Sequence, residues 1–331
     1  MMDPRLAAEL AAHEFSDEKF VEATFRQILR RLPDQVAQER ALSKLAAGTL
    51  SRATLIHELV TSTESVRVRE LDDAVALGLG ARVRRERVRW LQAPAGTDER
   101  VVEIPWVLSR LRLSGRVLEV GYAFAETAYV GGLLRAGVEV VGVDLATREV
   151  DVMETVQADV RELPFPERSF DQVLLVSTLE HIGADNTVYG LDAESDGAAR
   201  LEALRELNRV LRHSGSLLVT VPLGEPGDHG WFRQEDERGW TQLFARAGFF
   251  VEEIEAYELQ PEGWRAAATF HPEGVRYGER GPAASAVLCA DLSPGRIRHF
   301  VTPGGLRKAT RRQAARAYRR VRPSDRELPS G

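Results

Sequence analysis

Several reactive or ligand-binding side chains stand where an apolar run of this chain ends. Asp144 closes the β-branched run Val138 to Val143. A carboxylate in that place can accept both hydroxyls of a ribose. Gly121 closes the run Val117 to Val120, which contains Glu119. A glycine at a strand end lets a ligand approach the backbone, and the helix after it offers free N–H groups. Asp159-Val160 follows a third run and is placed to flank an adenine. Ser177 to Ile182 follows a fourth and contains His181, whose imidazole can exchange a proton near neutrality. After a fifth run comes Pro222 to Phe232, with flexible glycines, aromatic rings, Asp228 and His229. His181 is the first candidate for a general base, against a structural or capping role. Asp228 and His229 are the alternative bases, in a loop expected to shape an acceptor pocket. Their spacing matches no standard zinc motif, and no metal is expected. Gly183 to Gly197, with Asp185, Tyr189, Asp192, Glu194 and Asp196, reads either as an acidic lid over the same edge or as a solvated insertion.

The elements that must carry these residues alternate strand and helix. Strands are expected at 117–120, 138–143, 155–158, 172–176, 216–221, 249–254 and 283–290. Helices are expected between Gly121 and Gly137, over Arg200–Leu211 and over Thr241–Ala247. Such alternation specifies a doubly wound α/β domain, whose ligand lies beyond the carboxyl ends of the strands. Residues 1–92 read as wholly helical. A helix is expected over Arg5–His13, and Ser16 and Ser51 are placed to cap two later ones. Val36, Leu42 and Leu45 are expected to face inward on the helix beginning at Gln35. Ala93 to Glu99 reads as a linker. The domains expected are therefore a helical module over 1–92, an α/β domain over 93–290 and a basic tail over 291–331. The module is expected to pack or to interact, and it offers a surface for a protein partner.

The chain has 331 residues and a net charge of −6, with 44% hydrophobic and 28% charged residues. That describes an ordinary soluble chain with no general affinity for nucleic acid. The charge is uneven. From Asp291 onward there are eleven Lys or Arg against three Asp or Glu. The tail reads as a solubilising segment, or as a contact for an anionic partner such as a membrane surface or polyanionic substrate. No aromatic stacking pattern accompanies the charge, so specific nucleic-acid recognition is not expected. One cysteine, Cys289, excludes an intrachain disulfide and reads as a buried strand residue. No apolar stretch reaches membrane-spanning length and no secretory signal opens the chain, so a cytoplasmic protein is expected.

The dinucleotide fingerprint is not met, because Ala123 and Ala125 stand where a pyrophosphate loop has glycine. This disfavours an NAD-dependent oxidoreductase. The pieces VLEVG, VVGVD, QADVRELPFPERSFDQVLLVSTLEHI and EALRELNRVLRHSGSLLVTVP, in this order, resemble the class I S-adenosylmethionine-dependent methyltransferases. The resemblance runs from about Gly115 to Ala290. It implies a seven-stranded, mostly parallel sheet with an antiparallel final hairpin, and S-adenosylmethionine as cofactor. It also implies that Glu119 faces the methionine amino group and Gly121 lies against the methionine part. Asp144 would hold the ribose hydroxyls, Asp159 and Val160 would flank the adenine, and Ser177 would sit beside the methionine. Family members usually have glycine at the positions of Ala123 and Ala125. The segment FVEATFRQILRRLPD to LVTSTE resembles the small helical DUF4214 family, which occurs beside enzymes of cell-surface glycan assembly.

These features lead to an expected methyl transfer to an oxygen of a small molecule, a sugar, nucleotide sugar or surface-glycan precursor. The alternative is a catalytically inactive scaffold on the same fold, suggested by the two alanines and the helical module.

Overall fold

The computed structural model describes residues 16–192, 195–281 and 283–295. The expected helix Arg5–His13 and the basic tail beyond residue 295 lie outside the described residues.

Three helices, α1 (Asp17–Leu29), α2 (Gln35–Ala46) and α3 (Arg52–Thr61), pack around a small core of their own that includes Phe20, Phe25, Ile28, Leu55 and Ile56. Ser16, Asp34 and Ser51 each accept a backbone N–H of the first turn, which fixes where the three helices start. Gly48, at φ +67°, turns the chain out of the α2 end. Val36 does not face inward as expected. It stands in the first turn of α2 and is 74% exposed, while Ala41 takes the buried position.

Helix α4 (Thr63–Val83) then leaves this bundle. Its Leu71, Ala74 and Val75 join the core beneath the sheet, against α5 (Arg100–Arg110) and α6 (Thr127–Arg135). Two glycines make the approach close. A Cβ on Gly78 would meet the Leu108 Cβ at 2.7 Å, and one on Gly132 would meet Val75 at 2.9 Å. The side chains of α5 are buried almost throughout, and Pro105 within it faces Gly78.

The sheet has nine strands, not the expected seven. Their order is β1 (Gln92–Pro94), β10 (Gly263–Ala267), β9 (Phe249–Gln260), β11 (Ala286–Pro294), β6 (Leu211–Pro222), β5 (Phe170–Val176), β2 (Arg116–Val120), β3 (Glu139–Asp144) and β4 (Glu154–Gln157). The five from β6 to β4 are parallel. β11 is inserted antiparallel between β6 and β9, as the expected final hairpin requires. The two additional strands are short: β1 at the sheet edge carries Pro94, and β10, between β1 and β9, begins at Gly263, residues that weaken a sequence signal for strand. Gly263, at φ +122°, passes so close to Ala93 that a Cβ would lie 2.0 Å from its carbonyl oxygen. The segment read as a linker from Ala93 is thus partly strand. The last strand also continues past Ala290 to Pro294, through the expected tail boundary.

Helices α7 (Ala199–Val210) and α8 (Glu237–Arg246) cover the other face. Ala203, Leu204, Leu207 and Val210 recur at helical spacing and are all buried there. Cys289 is free and buried within β11, as expected. A two-stranded ribbon, β7 (Gly227–Asp228) with β8 (Arg233–Gln234), follows β6.

Candidate active site

Two adjoining cavities lie beyond the carboxyl ends of the parallel strands. The larger is a crevice of about 1130 Å³. It is lined by Gly121, Ala125, Asp144, Asp159, Val160 and Ser177, among others. The smaller is a chamber of about 380 Å³, walled by Glu99, Glu180, Trp231, Phe232 and Tyr277. Arg100, Ser177, His181 and Tyr189 line both.

The turn after β2 needs its glycine. Gly121 stands at φ +90°, and a Cβ there would lie 2.4 Å from the Thr178 Oγ1. Ala123 and Ala125 are not among the residues with positive φ, so this loop asks no glycine of either position. The Ala123 N–H donates to one Asp144 carboxylate oxygen at 3.0 Å, and the Ala146 N–H donates to the other at 3.1 Å. Each oxygen keeps a lone pair for a ligand. Burial raises the Asp144 carboxyl above its usual range, and these backbone donors oppose the shift.

Asp159 is engaged by its neighbour. Burial would raise its carboxyl, but the Arg161 guanidinium, at 2.9–3.0 Å from both oxygens through Nε, brings it below the usual range. Glu119 is 1% exposed and does not wall the crevice directly. Its carboxylate accepts the Tyr129 hydroxyl at 2.9 Å, and burial pushes it up to about 8. Tyr129 is the wall residue at that point.

Ser177 is held in the left-handed region at φ +41°, a strained place for a residue with a side chain. Its N–H donates to the Thr220 carbonyl at 3.0 Å, and its Oγ donates to the Glu103 carboxylate at 2.7 Å. The other Glu103 oxygen accepts from Arg100 at 2.5 Å. Burial opposes the charge of Arg100, but Glu103 and Glu99 hold it protonated, above its ordinary value.

His181 sits at the junction of the two cavities. Its Nδ1 lies 2.9 Å from the Trp231 carbonyl, so Nδ1 carries the proton and Nε2 presents a lone pair. Burial pushes the imidazole down to about 4. It is therefore neutral at physiological pH and a weak base. Burial lifts Glu180 to about 8 and Glu99 to about 7, with the Glu103 charge adding to both.

The loop 183–192 reaches over the junction. Tyr189 packs on Phe124 of the glycine turn at 4.9 Å between ring centres and on His181 at 5.5 Å. The Asp185 N–H is bound to the Gly230 carbonyl at 3.0 Å. Tyr189, Asn186 and Leu191 supply the crevice wall there, and Asp185 and Asp192 are not part of it.

Asp228 and His229, the expected alternative bases, line neither cavity. The Asp228 carboxylate accepts the Gly230 N–H at 2.9 Å and pairs with Arg233, and the tight turn so formed leaves both residues exposed. His229 stacks flat on Phe232 at 4.4 Å, on the outer side of the ring that faces the chamber. The same loop does shape the pocket, but through Trp231 and Phe232. Glu99, Arg100, Glu103, Glu180 and Tyr277 carried no expectation. Their signal was charge within an apolar context, since Glu103 interrupts the buried run VVEIPWVL.

Residues 118–219 match the family model of the methyltransferase domain. The chain carries a methyltransferase domain. The match spans β2 to β6, the parallel part of the sheet that builds the crevice. Residues 3–68 match a domain of unknown function, DUF4214. No curated protein matches the chain. Among solved structures, the chain is similar to the 1,6-didemethyltoxoflavin-N1-methyltransferase of Burkholderia thailandensis with bound S-adenosylhomocysteine. The identity is 16%, over 86% of this chain and 92% of that one, with a TM-score of 0.41. It is also similar to an S-adenosylmethionine-dependent methyltransferase of Methanosarcina mazei, at 13% identity over 57% and 96% of the two chains, TM-score 0.40. A third is a possible histamine N-methyltransferase of Thermotoga maritima, at 18% over 58% and 87%, TM-score 0.38.

The cofactor of the methyltransferase domain is S-adenosylmethionine, and the residues present fit it. The crevice offers a close backbone approach at Gly121, a carboxylate with free lone pairs at Asp144 and apolar walls at Leu145, Val160 and Ile182. Among the described residues no helix is long and apolar enough to cross a membrane.

Proposed function

We propose that this methyltransferase domain methylates an oxygen of a small hydroxylated acceptor, of sugar type, held in the chamber beside the crevice. The observation that carries the reading is the shared wall. Arg100, Ser177, His181 and Tyr189 border both cavities, so a group in the chamber meets the crevice at the end of β5. Carboxylates that accept hydroxyl protons, set among ring faces that pack on C–H groups, suit such an acceptor.

S-adenosylmethionine, when bound, supplies a methyl group activated by the sulfonium charge. The chain supplies alignment and a site shielded from water. In this reading Asp144 accepts the ribose hydroxyls and Gly121 lies against the methionine part. Val160 packs on the adenine, and Asp159 faces its amino group from the Arg161 pair. Ser177 stands beside the methionine, and Glu119 acts through Tyr129.

An alcohol must lose its proton as it attacks. Glu180 suits that task better than His181. One of its carboxylate oxygens, Oε2, is buried without a hydrogen-bond partner, and its proton affinity lies near the working pH. His181 then orients the acceptor, its Nε2 taking a hydrogen bond. The division into a helical module, a methyltransferase domain and a basic tail is part of the same reading. In it the outer faces of α1–α3 serve a protein partner and the tail serves an anionic surface.

The test is transfer of labelled methyl from S-adenosylmethionine to a panel of monosaccharides and nucleotide sugars. Incorporation that Glu180→Gln abolishes supports the reading. Tight binding of S-adenosylhomocysteine with no incorporation into any hydroxylated compound overturns it.

A further inference from the structure

The chamber wall holds buried carboxyl groups that a neutral acceptor does not need. Glu99 and Glu180 wall it with one guanidinium, Arg100, which is already paired with the buried Glu103. Glu99 is 8% exposed and Glu180 is 4% exposed. The Oε2 atom of each is buried without a hydrogen-bond partner. An orphaned carboxyl oxygen in a protein interior is costly, so it marks a place where a ligand completes the structure. His181, the remaining titratable group at the junction, is neutral, and the Tyr189 and Tyr277 hydroxyls are held protonated by burial.

The aromatic walls point the same way. The Trp231 and Tyr277 rings stand perpendicular at 5.8 Å between centres, and Phe232 closes the corner at 4.8 Å from Trp231 and 4.6 Å from Tyr277. Ring faces arranged as walls around a small volume attract a cation through their negative π-faces. Among the described residues no group of three or more His, Cys, Asp or Glu is spaced to hold a metal ion. Ring faces of this kind suit an organic ammonium group.

We infer that the acceptor carries an ammonium group, held by Glu99 between the rings of Trp231 and Tyr277, so that the chamber selects an aminated acceptor of amino-sugar type over its neutral counterpart. This rests on the reading of the chamber as the acceptor site. The ammonium is a recognition group and adds no covalent step. Because burial leaves Glu99 protonated in part near neutrality, binding the cation expels a proton, and affinity for the ammonium form rises as pH passes through about 7.

The experiment is calorimetry on the full chain saturated with S-adenosylhomocysteine. D-glucosamine is titrated against D-glucose, and D-galactosamine against D-galactose, in two buffers of different ionisation enthalpy. The amino sugars are expected to bind at least about tenfold tighter than their neutral partners, with proton release. The preference is expected to fall below about twofold in Glu99→Gln, whose folding is checked by its unchanged affinity for S-adenosylhomocysteine. Equal binding within each pair overturns the inference, as does failure of every amino sugar to bind while S-adenosylhomocysteine binds. Weakened S-adenosylmethionine but not S-adenosylhomocysteine in Glu99→Gln also overturns it, since the carboxylate would then serve the sulfonium. Failure of S-adenosylhomocysteine itself to bind would instead overturn the reading on which the inference rests.

Discussion

The Ser177 hydroxyl donates to the Glu103 carboxylate across 2.7 Å, which ties the end of β5 to a helix 74 residues earlier in the chain. Ser177 makes this bond from φ +41°. Ser177→Ala keeps the backbone strain and removes the bond. It is expected to destabilise the fold by about 1–2 kcal/mol in urea unfolding. Ser177→Gly removes the bond and the strain together and is expected to be less destabilising than the alanine variant. The reverse ranking would mean that the turn is not strained.

The glycine turn yields a paired prediction. Gly121→Ala introduces a methyl group 2.4 Å from the Thr178 Oγ1 at a φ of +90°. It is expected to weaken S-adenosylhomocysteine binding at least about tenfold, or to unfold the turn at a cost of about 1–3 kcal/mol. Ala123→Gly and Ala125→Gly, where φ is not positive, are expected to leave affinity within about threefold, because neither restores a needed freedom. Calorimetry on the three variants separates these outcomes.

Asp144→Ala removes a carboxylate and also frees the Ala123 N–H that it holds. The expected loss in cofactor affinity is about 100-fold, from two charge-assisted hydrogen bonds of about 1.5–3 kcal/mol each, partly replaced by water. Asp144→Asn keeps one acceptor oxygen and should fall between the variant and the parent. Undiminished affinity in Asp144→Ala would remove this residue from the site.

The buried carboxyls make stability depend on pH in a direction opposite to that of ordinary surface acids. Glu180 and Glu119 are pushed up to about 8 and Glu99 to about 7, all above their unfolded values. The folded chain therefore binds protons more tightly than the unfolded one. This stabilisation is complete below the unfolded carboxyl range and is lost as pH rises through about 7 to 8. Unfolding free energy is expected to fall by about 1 kcal/mol or more between pH 6 and 8.5, and Glu180→Gln should flatten that slope.

The rate of methyl transfer should show the converse. With Glu180 as proton acceptor, kcat/KM rises through about pH 7 to 8. That limb is expected to persist in His181→Asn, whose imidazole is already neutral down to about pH 4, and to be absent from any residual activity of Glu180→Gln. A limb near pH 6.5 that disappears with His181 would restore the histidine as base.

The parallel strands were legible because each is a short β-branched run ending in a residue of distinct chemistry. Gly121, Asp144, Asp159 and Ser177 consequently lie together on one crevice. The chamber was much less legible. Glu99 and Arg100 fall at a boundary read as a linker, and only the buried setting of α5 turns them toward β5. Asp228 and His229 looked suited to chemistry by composition, yet the Asp228 carboxylate satisfies the Gly230 N–H and turns the pair outward. The edge strand Gln92–Pro94 was missed because its partner, Gly263–Ala267, is distant in sequence and pairing across such a gap leaves no local pattern. At Ala123 and Ala125 the backbone takes no positive φ, so the turn itself does not require glycine at either position.

The crevice and the chamber draw on different stretches of the chain. The crevice is built almost wholly within residues 118–219, whereas Glu99 and Arg100 precede that stretch and Trp231, Phe232 and Tyr277 follow it. In the proposed reading, acceptor choice is therefore set mainly by segments other than those that build the crevice. Grafting the segments around Glu99 and Trp231 from a relative would re-address the catalyst, while Ser177 to His181 would remain the hinge point common to both recipients.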